Sequence, residues 1–282
     1  MKILVLGASG MAGHVITLYL TESGFDVTGF SRSECKFARY IKGDVRNLPS
    51  LTEIITANSY DIIINALGIL NQAAEDNKEN AVFINSYLPH FLTALTQKEK
   101  TRVIQMSTDC VFSGKTGGYT ETSLRDGETF YDRSKALGEL ENNKDFTFRN
   151  SIVGPDMHKS GIGLLNWFMK QEDAISGYRG VNWTGVTTIT LAKAMKAAIE
   201  CNLTGLYHLV NNETISKYDL LKLFNHHLRD DAVIIHPNET ILSNKSLVNN
   251  RKDFAFVVPS YEEMVVEMKD WIISHKDLYH HY

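Results

Sequence analysis

Cysteine is scarce in this 282-residue chain. Cys35, Cys110 and Cys201 stand far apart with no CxxC pair. That spacing excludes a disulfide framework and a thiolate zinc site, so no metal is expected, and it suits a reducing cytoplasm. Proline is scarce as well, with five residues, and no Pro/Ser-rich linker, low-complexity segment or internal repeat divides the chain. An excess of positive charge is also missing. Lys and Arg number 29 against 33 Asp and Glu, a formal net charge of −4, which argues against a nucleic-acid partner. No stretch reaches the roughly 20 apolar residues of a membrane span, so no membrane partner is expected. The opening run MKILVLGASGMAGHVITLYL has the outline of a signal peptide. Glycines interrupt it and no small-residue cleavage site follows, so a strand, a turn and a helix explain it better.

What remains is ordinary soluble-protein composition, 43% hydrophobic and 22% charged, with length for one large domain or a domain plus a lobe. Short β-branched runs alternate with helical patterns. Strands are expected at Lys2–Leu6, Asp26–Phe30, Tyr60–Ala66, Arg102–Ser107, Asp145–Asn150 and Gly205–Val210. Helices are expected at Met11–Ser23, Pro49–Ala57, Asn80–Gln97, Ser134–Asn142, Thr190–Cys201, Lys217–His227 and Glu262–His275. Strands too apolar to be half exposed, separated by helices, predict an α/β fold with a doubly wound parallel sheet of Rossmann type. Residues 154–184 read as an irregular lobe woven into that frame.

The turn Gly7-Ala-Ser9-Gly10-Met11-Ala-Gly13 follows the first strand and opens the first helix. Gly7 permits the tight turn, Gly10 a close approach of backbone to a pyrophosphate, and Gly13 close packing of helix on sheet. The helix N-terminus then offers free N–H groups and a positive dipole end to the phosphates. At the end of the second strand, Ser31 and Arg32 stand where NAD sites carry an acidic residue for the ribose 2′-hydroxyl. A guanidinium there suits a 2′-phosphate, which favours NADPH over NADH, with NADH still admitted.

Tyr131 and Lys135, at i and i+4, lie on one face of a helix start. A phenol with pKa about 10 exchanges protons poorly at neutral pH, and an adjacent ammonium is expected to lower it. Ser107, Thr108 and Asp109 lie at the end of the strand expected over 102–107, at the carboxyl edge, where ligands bind in such sheets. Thr108 can hydrogen-bond a substrate oxygen beside Tyr131.

The segments GASGMAG, STDCVFSG, YDRSKALGE, RNSIVGP, GVTTITLAKAM and GLYHLV together resemble dTDP-4-dehydrorhamnose reductases and their relatives among the extended short-chain dehydrogenases/reductases. The resemblance implies an NADPH-dependent oxidoreductase of cell-surface polysaccharide precursor synthesis. It would reduce the C4 ketone of a nucleoside-diphosphate 4-keto-6-deoxy sugar, with Tyr131 as acid, Lys135 tuning it and Thr108 polarising the carbonyl. It also implies that Asp44 and Val45 border the adenine, that Ala66, Leu67 and Gly68 pass along the ribose, and that Asn85 keeps a water-linked proton path to Lys135. Residues 1–153 and 185–211 would form the nucleotide-binding domain, with 154–184 and 212–282 as the substrate lobe. Some members form homodimers, so a dimer is a further expectation.

The chain departs from the rhamnose enzymes at Cys110, at residues 66–72 and around Asn166–Phe168 and Gly180–Trp183. These changes leave hydride transfer intact and open the sugar to a UDP-linked 4-keto-6-deoxy-N-acetylhexosamine as well as dTDP-4-keto-rhamnose. On the substrate side, Arg251 is the preferred diphosphate ligand among Lys159, Arg179, Lys217, Lys245, Arg251 and Lys252, and Trp167 and Trp183 are candidates for stacking on sugar or base. Two other readings compete. A non-catalytic NADP(H)-binding regulatory subunit is disfavoured by the Tyr131–Lys135 pair, and an epimerase or dehydratase, which recycles tightly held NAD, by Ser31 and Arg32.

Overall fold

The computed structural model describes residues 1–34 and 37–282; Cys35 lies outside the described residues. Strands β1 (Lys2–Leu6), β2 (Asp26–Ser31), β3 (Arg39–Lys42), β4 (Ile62–Asn65), β5 (Arg102–Ser107) and β6 (Phe146–Arg149) alternate with helices α1 (Met11–Glu22), α2 (Leu48–Asn58), α3 (Asn71–Asp76), α4 (Lys78–Ala81), α5 (Leu88–Leu95) and α6 (Phe130–Leu137). The later chain adds β7 (Ile152–Val153), α7 (Leu164–Phe168), β8 (Ile175–Tyr178), β9 (Val181–Trp183), β10 (Val186–Thr187), α8 (Thr188–Glu200) and β11 (Gly205–His208). It continues through β12 (Ile215–Ser216), α9 (Lys217–Arg229), β13 (Ile235–Asn238), β14 (Ser243–Asn244) and α10 (Tyr261–Ser274).

Seven strands form one sheet in the order β11-β6-β5-β4-β1-β2-β3, and every pairing in it is parallel. Ile3, Val5, Ile62 and Ile64 face a core shared with α1, α8 and α10. Leu4, Leu6 and Ile63 face the opposite one with Leu51, Leu88 and Leu92. Burial on both faces is why these strands read as continuous apolar runs. The strand order reverses between β1 and β4, so a crevice opens there at the carboxyl edge. Smaller sheets, β12-β9-β14 and β13-β8, carry the irregular part of the chain. No helix among the described residues is long and apolar enough to cross a membrane.

Three elements differ from expectation, each for a local reason. The helix expected over 80–97 is interrupted by a π-helical turn at Val82–Tyr87. Pro89 has no N–H to give the carbonyl of Asn85, four residues back. That carbonyl turns onto Gly138 instead, where a Cβ would stand 1.8 Å from it. The helix expected at 134–142 is shifted to Phe130–Leu137, because Thr129 and Asp132 form a capping box and Gly138 ends the run. Strand β3 escaped notice because RYIK is a half-exposed edge with no apolar alternation.

Behind the carboxyl edge lies a buried polar knot. Arg149 of β6 donates through Nε and Nη2 to the two oxygens of Glu139 at 2.7 and 2.5 Å, and through Nη1 to His208 Nε2 of β11 at 2.8 Å. Ser107 of β5 and Arg125 also donate to Glu139. Burial alone would raise the Glu139 pKa, but Arg149, then Ser107 and Arg125, outweigh it and hold it below the ordinary value. A depressed carboxylate stabilises the fold above its unfolded pKa, and that contribution is lost as pH falls through the folded one. Arg149→Met, which strips the main partner from a buried charge, should cost roughly 3–5 kcal/mol in urea unfolding. Glu139→Gln should flatten the acid limb of stability against pH. Little change in either variant would show that the knot contributes nothing.

Candidate active site

The glycine turn is built by close approach. Gly7 has φ +83 and its carbonyl accepts from the Gly10 amide at 2.9 Å. A Cβ on Gly13 would stand 2.0 Å from the Gly7 oxygen, so only glycine lets α1 lie this close to β1. Gly10 caps α1 without a side-chain bond. The first amides of the helix therefore remain free to bind an anion, with Ser9 half-buried and Gly10 exposed beside them. Leu67 meets this turn, with its Cδ2 2.9 Å from where a Gly7 Cβ would be. Ala66 and Leu67 thus pack beside Gly7, whereas Gly68 lies toward Leu70 and Asn85. The turn and its neighbours fit a pyrophosphate.

At the end of β2 the expected pair divides. Ser31 is buried and donates to the Ser33 carbonyl at 2.7 Å, whereas Arg32 is exposed. Arg32 is therefore the member able to meet a 2′-phosphate. Asp44 is occupied by its near neighbour, since Arg46 grips it through Nε and Nη2, the latter at 2.7 Å. That side-chain bond is the main reason the Asp44 pKa falls. Val45 is buried in the core beside Phe30, so the contact expected of this pair with an adenine rests on backbone and on Val45 more than on a free carboxylate.

Tyr131 and Lys135 share the inner face of α6, both buried. Lys135 Nζ donates to the Met106 carbonyl at 2.6 Å. Burial lowers the lysine to about 8, with Glu139 pulling the other way. Burial also pushes the Tyr131 phenol well above its ordinary value. Cys110 adds to that rise and the Thr108 hydroxyl opposes it. The expected lowering of the phenol by Lys135 is thus not what this arrangement gives. Desolvation is the largest influence on the phenol.

Thr108 caps a short turn, accepting from the Cys110 amide at 3.2 Å and donating to Asp109 at 3.1 Å. Asp109 is buried and its pKa raised by that burial, with Lys217 and Lys245 pulling it down. Cys110 is pushed up to about 12 by burial, then by Asp109, so it stays a thiol and packs as a small apolar group. Asn85 is fully buried and pins a loop. It donates to the Ile69 carbonyl at 2.9 Å and Ser134 Oγ at 3.0 Å, and accepts from the Ile69 amide at 2.9 Å. Its amide hydrogens are spent on holding the loop at Ile69 against α6.

The substrate-side residues are rearranged. Arg251 donates to the Thr204 and Leu206 carbonyls at 2.7 and 2.9 Å and pairs with Asp253. It therefore sits by the start of β11, at the opposite edge from the crevice, and is not brought to the site. Lys217, the first residue of α9, is the candidate cation that the fold brings beside Asp109. Its ammonium lies 4.8 Å over the Trp183 ring and is lowered to about 8 by burial, with Asp109 and Cys110 opposing. Lys245 lies 3.9 Å from Asp132 on α6. Trp183 is 3% exposed and packs on Tyr261, so Lys217 covers the ring that was expected to stack on a sugar. Trp167 is 40% exposed on α7, whose N-cap Gly163 lies beside Met11. Lys217 stood among the candidate cations of the sequence, but only the fold brings it to Asp109.

A parallel sheet with a glycine turn at its switch point and a buried tyrosine–lysine pair one strand further along is the arrangement of the extended short-chain dehydrogenases/reductases. Within that class the chain belongs to the RmlD substrate binding domain family, whose model matches residues 1–252. It is 30% identical over 251 residues, 83% of each chain, to a probable low-salt glycan biosynthesis reductase of Haloferax volcanii. It is 26% identical to the dTDP-4-dehydrorhamnose reductase of Escherichia coli, covering 95% of this chain and 97% of that one. The crystal structure of dTDP-4-dehydrorhamnose reductase from Bacillus anthracis in complex with NADP superposes with a TM-score of 0.81 at 22% identity, over 97% and 99% of the two chains.

The turn makes a sharp prediction. Gly13→Ala should lower stability by on the order of 1–3 kcal/mol in urea unfolding. Gly68→Ala, where the nearest atom to an added Cβ is 3.6 Å away, should be tolerated. Equal effects would contradict the close-packing account.

Proposed function

We propose that this protein is an NADPH-dependent reductase of the C4 ketone of a nucleoside-diphosphate 4-keto-6-deoxy sugar, serving surface-polysaccharide precursor synthesis. The observation that carries the reading is Tyr131, buried on the inner face of α6, with Thr108 beside it and Lys135 one helical turn away. The reductase names of the relatives support it, as does NADP bound to a chain of the same fold. When bound, NADPH supplies the hydride from its nicotinamide C4.

The residues then have separate tasks. The free amides of α1 hold the pyrophosphate and Arg32 the 2′-phosphate. Thr108 orients the ketone oxygen, and Tyr131 gives it a proton as the alkoxide develops. Lys135, fixed by the Met106 carbonyl, keeps a positive charge beside the phenol as it ionises. Lys217 and Lys245 replace Arg251 as the cations for the substrate diphosphate. The sugar is a dTDP-linked rhamnose precursor or a UDP-linked N-acetylhexosamine, and the molecule acts as a cytoplasmic enzyme. Residues 1–153 with 185–211 bind the cofactor and the remainder binds the sugar nucleotide.

Following NADPH absorbance with a pool of enzymatically made 4-keto-6-deoxy sugar nucleotides tests this. Oxidation is expected, and Tyr131→Phe should lower kcat by about 10²–10⁴-fold. Activity should fall above about pH 8 as Lys135 loses its proton. Tight NADPH binding with no oxidation of any substrate would favour a regulatory role instead. In the same assay, Lys217→Met should raise KM for the sugar nucleotide by roughly tenfold, while Arg251→Ala should leave it within about twofold. The reverse order would restore Arg251 as the diphosphate ligand.

A further inference from the structure

His14, in the first turn of α1, is completely buried. Its Nδ1 lies 2.9 Å from the Gly10 carbonyl and its Nε2 2.7 Å from the Tyr279 hydroxyl. Trp271 Nε1 of α10 lies 2.9 Å from that same hydroxyl. Every hydrogen in this chain is assigned by its ends. An indole N–H can only donate, so the Tyr279 oxygen accepts it and passes its own hydrogen to Nε2. A carbonyl can only accept, so Nδ1 carries the imidazole hydrogen. Both ends demand the same tautomer. Burial drives the His14 pKa down to about 4, which keeps the ring neutral in the range where the chain must work.

Three residues further on, the Tyr282 hydroxyl accepts from the Asp156 amide at 2.9 Å. Asp156 opens a loop that Asn166 gathers by donating to the His158, Lys159 and Gly161 carbonyls, the last at 2.6 Å. The loop ends at Gly163 against the Met11 sulfur. One short segment therefore grips the glycine turn with Tyr279 and the loop bordering that turn with Tyr282.

We infer that the segment Tyr279–Tyr282 is a positioning strap for the cofactor site, acting through His14 on the Gly10 peptide. The reason is the planarity of that peptide. In a trans unit the Gly10 C=O and the Met11 N–H point in opposite directions. The Gly10 carbonyl accepts from the His14 amide at 2.9 Å as well as from its ring, and the ring, by adding a second donor, fixes the carbonyl so that the Met11 amide, the first free donor of α1, is aimed into the crevice. An anion then meets a donor already oriented and loses less affinity to ordering it. Tyr282 makes the same strap hold the loop beside Met11, so the wall of the crevice and its floor are set together. His14, Tyr279 and Tyr282 are positioning residues and need not touch the cofactor.

The proposal rests on the dinucleotide reading of the glycine turn, and the test separates the two. NADPH is titrated into wild-type, His14→Leu, His14→Asn and Tyr279→Phe proteins by its fluorescence, with thermal melts in parallel. Tyr279→Phe and His14→Leu should raise the NADPH Kd by roughly three- to tenfold, with KM for the sugar nucleotide unchanged. His14→Asn, which can keep a bond to the Gly10 carbonyl but not the one to Tyr279, should match Tyr279→Phe and not wild type. A side-chain amide can reach back four residues to a helix carbonyl, as Asn58 does to Ile54 at 2.8 Å. Affinity within twofold of wild type in folded Tyr279→Phe and His14→Leu overturns the strap, and if His14→Leu does not fold, Tyr279→Phe decides alone. If wild type binds neither NADPH nor NADH, the dinucleotide reading fails, and amide hydrogen exchange over residues 10–14 judges the strap. Faster exchange in Tyr279→Phe supports it, and unchanged exchange overturns it.

Discussion

A carboxylate with almost no solvent access, Glu139, holds the catalytic helix to the sheet. It sits one turn beyond Lys135 and gathers donors from β5 and β6 and from Arg125. An ion pair so buried seldom stabilises a fold more than apolar side chains of the same size would, because desolvation consumes most of its attraction. Its value is geometric. The bidentate fork of Arg149 allows one orientation, and through His208 that orientation is passed to β11, whose ring then donates from Nδ1 to the Val248 carbonyl. Ser107, the residue before Thr108, is tied to the same oxygen as the arginine Nε. The knot therefore fixes the strand end carrying Thr108 and the helix carrying Tyr131 relative to one another.

With that frame set, desolvation governs the chemistry in front of it. The same burial that raises the Tyr131 phenol lowers Lys135, because each loses the water that would solvate its charged form. In the proposed reading the anionic parts of the ligands are met elsewhere, by the amides of α1 and by Lys217. These cations and donors flank the tyrosine without crowding it.

The sheet was legible because its strands are buried on both faces and β-branched, and because Gly7, Gly10 and Gly13 punctuate a strand–helix boundary. Tyr131, Lys135 and Thr108 were legible through their spacing and their place after β5. The π-turn at Val82–Tyr87 was encoded by Pro89 but hidden inside an apolar helical pattern. Arg251 misled, since a cation near an apolar run gives no hint that the carbonyls of Thr204 and Leu206 will claim it. Lys217 and the His14–Tyr279 contact, which spans 265 residues of sequence, depend on pairings that no local window contains.

The central claim is that hydride passes to a sugar carbon beside Tyr131. Incubating the protein with NADPH deuterated at nicotinamide C4 and a 4-keto-6-deoxy sugar nucleotide, then reading the product by NMR, tests it most directly. The account predicts one deuterium at sugar C4 and stoichiometric NADP⁺. Product without deuterium, formed by an NAD that the protein retains and recycles, would contradict it.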